Sequence, residues 1–178
     1  YDAGNDLLVL INDILDLSKV EAGKLDLNPE RVSPEKVARG MERLFRPMAE
    51  AKGLNLDVKV SDSLPTLTTD RQRLDQILRN LLSNAIKFTT KGSVTLTVEK
   101  SKLDGVAFSV KDTGIGIDPG QHDLIFEAFR QADGTISRSF GGTGLGLSIS
   151  QSLAELLGGK IEIKSEKGVG STFSIDLP

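Results

Sequence analysis

Asn80-Leu81-Leu82-Ser83-Asn84-Ala85-Ile86-Lys87-Phe88-Thr89, read together with the approach to it from Asp70, is the stretch on which the fold turns. Leu74, Ile77, Leu78, Leu81, Ala85 and Phe88 recur at three- and four-residue steps, which lines one side of an α-helix with apolar side chains. At about 100° per residue, Asn80, Asn84 and Lys87 fall in a narrow sector beside that stripe. The apolar edge can anchor the helix while two amides and an ammonium point along a cleft. An amide oxygen is a suitable neutral ligand for magnesium, and a lysine meets a phosphate as a point charge. A solvated helix face has the same pattern, so the choice between the two readings rests on the glycine-containing segments nearer the C-terminus.

Val106, Phe108 and Val110 alternate as a strand, and Asp112 stands at its end, ahead of Thr113-Gly114-Ile115-Gly116-Ile117. An ionised carboxylate only accepts hydrogen bonds, so at the bottom of a pocket it selects a ring with an exocyclic amino group. The glycines beside it let backbone approach a flat base closely. An Asp-led turn is otherwise a common end to a strand. Further on, Gly141-Gly142-Thr143-Gly144-Leu145-Gly146-Leu147 precedes a helix starting near Leu147 and stopping at Gly158-Gly159. The amides of such a loop and of the helix start suit phosphate oxygens. A P-loop would need lysine where Leu147 stands, and a dinucleotide fingerprint from Gly142 and Gly144 would need glycine or alanine there. Both fail, and the missing lysine is available from Lys87 on another helix. Arg138, just ahead of the loop, is either a solvated arginine or a fork for a terminal phosphate. Thr172, in Gly168-Val169-Gly170-Ser171-Thr172-Phe173, is either a strand residue after a tight turn or a second contact in the base pocket.

The chain of 178 residues, 38% hydrophobic and 26% charged, can bury one ordinary core. A net charge of -3 argues against a protein that works by covering nucleic-acid phosphates. Cysteine is absent, which removes any disulfide framework or thiolate metal site. No run reaches the roughly 18 apolar residues of a membrane span, and no signal peptide is visible. The chain opens on Tyr1 within a helical pattern, so the expectation is a piece of a longer protein.

Leu7, Leu8, Ile11, Ile14, Leu15 and Ser18 recur as one stripe, predicting a helix that ends near Ala22-Gly23 and packs on a partner. A short extended piece is expected at Leu25 to Leu27. Ser33-Pro34-Glu35 starts a helix that runs toward Ala51, and Gly53 ends it. Strands are expected at Leu54 to Val60, Val94 to Val98, Val106 to Val110, Ile161 to Ile163 and Phe173 to Leu177. Helices near 33–51, 70–88 and 146–157 would cover their shared face, making an α+β two-layer sandwich on a mixed, mostly antiparallel sheet. The stretch from about 118 to 140 lacks a period and is read as a mobile lid pinned by Phe126 and Phe129. His122, the only histidine, is read as exposed or capping.

In this order the three segments resemble the N, G1 and G2 boxes of the ATP-binding domain of sensor histidine kinases. Ile125-Phe126-Glu127-Ala128-Phe129-Arg130-Gln131 resembles the F box, so the likeness runs from about Leu7 to Pro178. It implies a Bergerat-type fold, with residues 1–24 the end of a second dimerisation helix and linker, and 25–178 the catalytic domain. It further implies ATP and Mg2+ as cofactors, Asn84 as the magnesium ligand supported by Asn80, Lys87 and Arg138 on phosphate, and Asp112 reading adenine. Gly114, Gly116, Gly142, Thr143, Gly144, Leu145 and Gly146 would shape the pocket, with Thr172 beside the base. The reaction implied is transfer of the ATP γ-phosphoryl to a histidine that lies on the first dimerisation helix, outside this chain. Implied partners are the protein's own dimerisation and histidine-phosphotransfer domain, a response-regulator receiver domain and, in a homodimeric parent, a second copy. The location implied is cytoplasmic, with membrane anchoring of the parent open. The segment before Gly23 resembles hybrid kinases. An ATPase of the gyrase, Hsp90 or mismatch-repair type would place a glutamate on the helix, and none occurs from 70 to 88. A serine kinase of the anti-sigma type is opposed by the N-terminal helix. A silent nucleotide-binding or interaction module is opposed by the intact boxes.

Overall fold

Every second residue of five strands is apolar, and pairing those strands in register gathers the apolar sets on one face. A computed structural model describes residues 11, 12, 14–16, 18–20, 22–101, 104–128 and 144–178. The five strands are β2 (Asn55–Val60), β4 (Ser93–Lys100), β5 (Val106–Asp112), β6 (Lys160–Glu166) and β7 (Gly170–Leu177), in the order β2-β4-β5-β7-β6. β2 runs parallel to β4, and the other neighbours are antiparallel. Val60, Val98, Phe108, Ile175 and Ile161 form one row across the sheet, and Val58, Leu96, Val110, Phe173 and Ile163 form the next. The third row begins apolar with Leu56 and Val94 and turns polar at Asp112, Ser171 and Ser165. The core therefore ends where the candidate site begins.

Three helices lie on this face: α1 (Pro34–Ala51), α2 (Arg71–Phe88) and α3 (Gly146–Leu156). Their buried residues join the sheet rows in one apolar core. Ser33 caps α1 by accepting from the Lys36 amide at 3.3 Å, with Pro34 in the first turn. Asp70 caps α2, with Oδ1 3.1 Å from the Arg73 amide, and its Oδ2 accepts from the Asn28 amide at 2.9 Å.

Several expectations need correction. The extended piece expected at Leu25 to Leu27 is not a strand; the strand is β1 (Glu30–Val32), paired antiparallel with β3 (Leu67–Thr69). Three residues are too few to display an alternation, which is why this pair escapes a periodicity reading. Residues 11, 12, 14–16 and 18–20 are helical, and the turn closes as the Gly23 amide donates to Val20. Ile11, Ile14 and Leu15 on this segment are 43%, 40% and 51% exposed, while Leu7 and Leu8 lie outside the described residues. Of the stretch read as a lid, residues 118–128 contain two short 3-10 turns, Pro119–Gln121 and Leu124–Phe126. Ile125 is buried, and the Phe126 ring meets Phe173 edge-on at 6.5 Å. Phe129 and the rest of that stretch, through residue 143, lie outside the described residues. His122 is half-buried rather than exposed, with Nε2 enclosed and without a hydrogen-bond partner, and its backbone amide closes the first of these turns on Pro119.

Candidate nucleotide-binding site

Three elements converge at the polar end of the sheet. α2 brings Asn80, Asn84 and Lys87 on one side, all half-buried. The apolar stripe of α2 dictates this placement: Leu74, Ile77, Leu78, Leu81 and Ala85 are buried against sheet and helices, so the sector beside them lies at the edge of the core. The Asn84 amide nitrogen donates to Asn80 Oδ1 at 3.4 Å, and Asn80 donates in turn to the Ser150 hydroxyl of α3 at 2.9 Å. Asn80 is thereby committed to joining the two helices. The Asn84 oxygen is left as an acceptor for a cation. Lys87 lies with Nζ 5.1 Å from the Phe88 ring centre, and burial pushes its pKa down. An anion arriving beside it would favour the charged form again.

Asp112 closes β5 and is only 6% exposed. Its Oδ1 accepts from the Gly114 amide at 2.8 Å. Burial pushes its carboxyl pKa up, and the amides of Gly114 and Ser171 draw it partway back. The turn after it is tied on both sides. The Ile115 amide donates to Phe88 O at the end of α2, and Ile115 O accepts from Gly168 in the β6–β7 hairpin. Gly116 is required here: it has φ +64°, and a Cβ would fall 1.9 Å from Glu166 O. Such a contact leaves no room for any side chain.

α3 opens at Gly146 behind Leu145, which brings no side-chain cap to the first amides. A helix start with an apolar residue at the cap position offers its amides to a phosphate oxygen. Gly146 lies close against the Asn80 side chain: a Cβ there would fall 2.3 Å from Asn80 Oδ1 and push that amide aside. Gly144 has φ +71°, as a glycine turn into the helix requires. Gly142, Thr143 and Arg138 lie outside the described residues. Thr172 does not join the site: it pairs with Lys111 on the opposite face of β7. Ser171 is the residue that stands across from Asp112 on the helix-covered face, and it is 6% exposed. Carrying the alternation Leu177, Ile175, Phe173 back by one step lands on Ser171, so the signal was present in the sequence.

Residues 69–178 match the family described as histidine kinase-, DNA gyrase B- and HSP90-like ATPases. The chain is 45% identical over 183 residues to the virulence sensor protein BvgS of Bordetella bronchiseptica, covering 99% of this chain and 15% of that protein. It is 42% identical over 182 residues to the autoinducer 2 sensor kinase/phosphatase LuxQ of Vibrio parahaemolyticus, covering 99% of this chain and 21% of that one. The chain thus spans about a fifth or less of the length of these two relatives. Among solved structures, full-length ShkA in complex with AMPPNP superposes with a TM-score of 0.90 at 38% identity, over 99% of this chain and 36% of that one. The catalytic domain of histidine kinase ThkA superposes with a TM-score of 0.73 at 27% identity, over 85% of this chain and 95% of that one. An amide-bearing helix, a buried aspartate before a glycine turn and a glycine-led helix are thus found together in a chain that belongs to the histidine kinase-, DNA gyrase B- and HSP90-like ATPase family, with close similarity to the ATP-binding domains of sensor histidine kinases.

Proposed function

We propose that this chain binds ATP and donates its γ-phosphoryl group to a histidine outside the chain, as the catalytic domain of a sensor histidine kinase. The observation that carries the reading is Asp112, a buried acceptor at the sheet's polar end, on the same side of the sheet as Asn80 and Asn84 and the glycine-led start of α3. Asp112 would take the amino group of adenine. Gly114 and Gly116 would let the base lie against the turn, and the amides from Gly144 to Leu147 would meet the phosphates. On the family likeness, Gly142, Thr143 and Arg138 complete the phosphate side. A neutral imidazole is itself a nucleophile, so the donor domain has to position the nucleotide and offset its charge, and no base of its own is needed.

The donor set suits magnesium. Asn84 offers a neutral oxygen, and no cluster of three or more His, Cys, Asp or Glu occurs among the described residues, so one protein oxygen plus substrate phosphates would hold the ion. Bound there, magnesium would neutralise phosphate charge. Hydrolysis in the gyrase manner is disfavoured on the same helix. Asp75, the one acid on α2, sits near its start, with Oδ1 2.7 Å from Arg71 Nε in an ion pair. Residues 1–24 are assigned to the second dimerisation helix and linker. The dimerisation and phosphotransfer domain, a receiver domain and a second copy are the expected partners of the cytoplasmic parent.

Calorimetric titration with AMPPNP, with and without magnesium, tests the reading. Magnesium-dependent binding is expected in the parent, weakened at least tenfold by Asp112→Ala, about 1.4 kcal/mol or more. A folded parent that binds no nucleotide would overturn the proposal. Adding a dimerisation domain in trans and following histidine phosphorylation then tests transfer.

A further inference from the structure

The third row of the sheet carries Asp112, then Ser171, then Ser165 on the edge strand β6. Ser165 sits within reach of three partners. Its Oγ accepts from the Ile117 amide at 2.7 Å, donates to Gly170 O at 3.1 Å, and lies 2.8 Å from Ser171 Oγ. A hydroxyl has one proton and two lone pairs. Geometry alone lets either hydroxyl donate across the Ser165–Ser171 contact; when the Ser165 proton goes to Gly170 O and the Ile117 amide takes one lone pair, the remaining lone pair takes the hydroxyl proton of Ser171. Ser171 then presents a bare oxygen lone pair toward the pocket, beside the acceptor-only carboxylate of Asp112.

We infer that Ser165 is a positioning residue for base selectivity: by holding the Ser171 proton away from the nucleotide it makes the pocket an all-acceptor edge. Aimed at the 6-substituent rather than at N1, such an edge accepts an amino group, whose two protons can meet two acceptors, and repels a carbonyl in its place, because acceptors facing each other leave a buried polar pair unmatched. The same hydroxyl fastens the far end of the Gly114–Ile117 turn to β6, so one side chain sets both the turn and the proton direction. The inference rests on the nucleotide-site reading above.

The test compares ADP with inosine diphosphate, which differs in carrying a 6-oxo group, by titration calorimetry on the parent and on Ser165→Ala, Ser165→Thr and Ser165→Cys. In Ser165→Ala the Ser171 hydroxyl regains the freedom to donate. The ratio of ADP to inosine diphosphate affinity should fall about tenfold, partly through tighter inosine diphosphate binding. Ser165→Thr keeps the hydroxyl and should restore the parental ratio. Should the alanine variant fail to fold, Ser165→Cys keeps the size with only a weak acceptor, and the same fall is expected. If a folded Ala or Cys variant weakens both nucleotides by the same factor, Ser165 only supports the turn and the inference is wrong. A parent that binds neither nucleotide would instead remove the site reading itself.

Discussion

Asp112 is kept buried at a cost in stability. Burial lifts its carboxyl pKa above the ordinary 3.8, so the native state holds the proton more tightly than the unfolded chain does. Linkage then gives the sign. Below the unfolded value the group costs nothing; as pH rises through the window between the unfolded and the raised native value, stability falls; above that window the full cost of a buried charge is present. Asp112→Asn keeps an oxygen for the Gly114 amide and removes the charge. It is expected to melt a few degrees higher than the parent at about pH 7, with the difference vanishing near pH 3, while ADP binding weakens at least tenfold. Thermal melts across pH, paired with ADP titration, check both halves. A variant less stable than the parent at neutral pH would show that the hydrogen bonds to Gly114 and Ser171 outweigh desolvation.

α2 carries three of the site side chains, and its start is held by one buried carboxylate. Asp70 caps the helix through the Arg73 amide and also accepts the Asn28 amide from the incoming linker. Removing it uncaps the helix, at about 1 kcal/mol, and orphans a partly buried amide at a further 1–3 kcal/mol. Asp70→Ala is therefore expected to cost about 2–4 kcal/mol in urea unfolding, with an unchanged m-value. Asp70→Asn, which can still cap, should cost less. The half-exposed Arg71–Asp75 pair on the same helix serves as a control, since an i,i+4 ion pair of this kind contributes only about 0.3–0.5 kcal/mol. Equal losses from the two sites would mean that the cap is not what orders the start of α2.

Among the described residues, the N-terminal helical segment meets the rest of the molecule through Val20, packed against the core, and through the Asp16 side chain. Asp16 Oδ2 accepts from Gln76 Nε2 at 2.9 Å and lies 3.3 Å from Arg73 Nη1, which also donates to Gln76. Arg73, Gln76, Asn80 and Asn84 succeed one another at three- and four-residue steps, so this attachment shares a face of α2 with the candidate site. A cleft of about 690 Å3 opens beside it, lined by Leu15, Lys19, Arg71 and Arg79 among others. A double-mutant cycle on Asp16→Ala and Arg73→Ala is expected to give a coupling of about 1 kcal/mol or less, reduced by salt. Hydrogen exchange in residues 11–20 should quicken in Asp16→Ala, with ADP affinity unchanged within about twofold. A larger fall in affinity would mean that the attachment governs the site as well as the segment.

Helices α1 to α3, the five strands of the main sheet and the Asn, Asp and Gly segments are legible in the sequence, because helical and strand periods and the chemistry of a side chain are local properties. So is the polar sector of α2, since 100° geometry alone puts Asn80, Asn84 and Lys87 beside the core stripe. Contacts between distant residues are not local, and strand register decides them. Pairing Val110 with Phe173 sets Ser171 across from Asp112 and turns Thr172 to the other face, since a slip of one residue would reverse every side chain on the strand. The β6–β7 register carries Ser165 to Ser171, and separate long-range contacts close β1 on β3 and bring Asp16 to Gln76 across 60 residues of chain. Sequence determined which groups the protein has for a nucleotide site; tertiary pairing decided which hydroxyl stands across from Asp112 and what holds it there, because only the folded sheet brings those strands side by side.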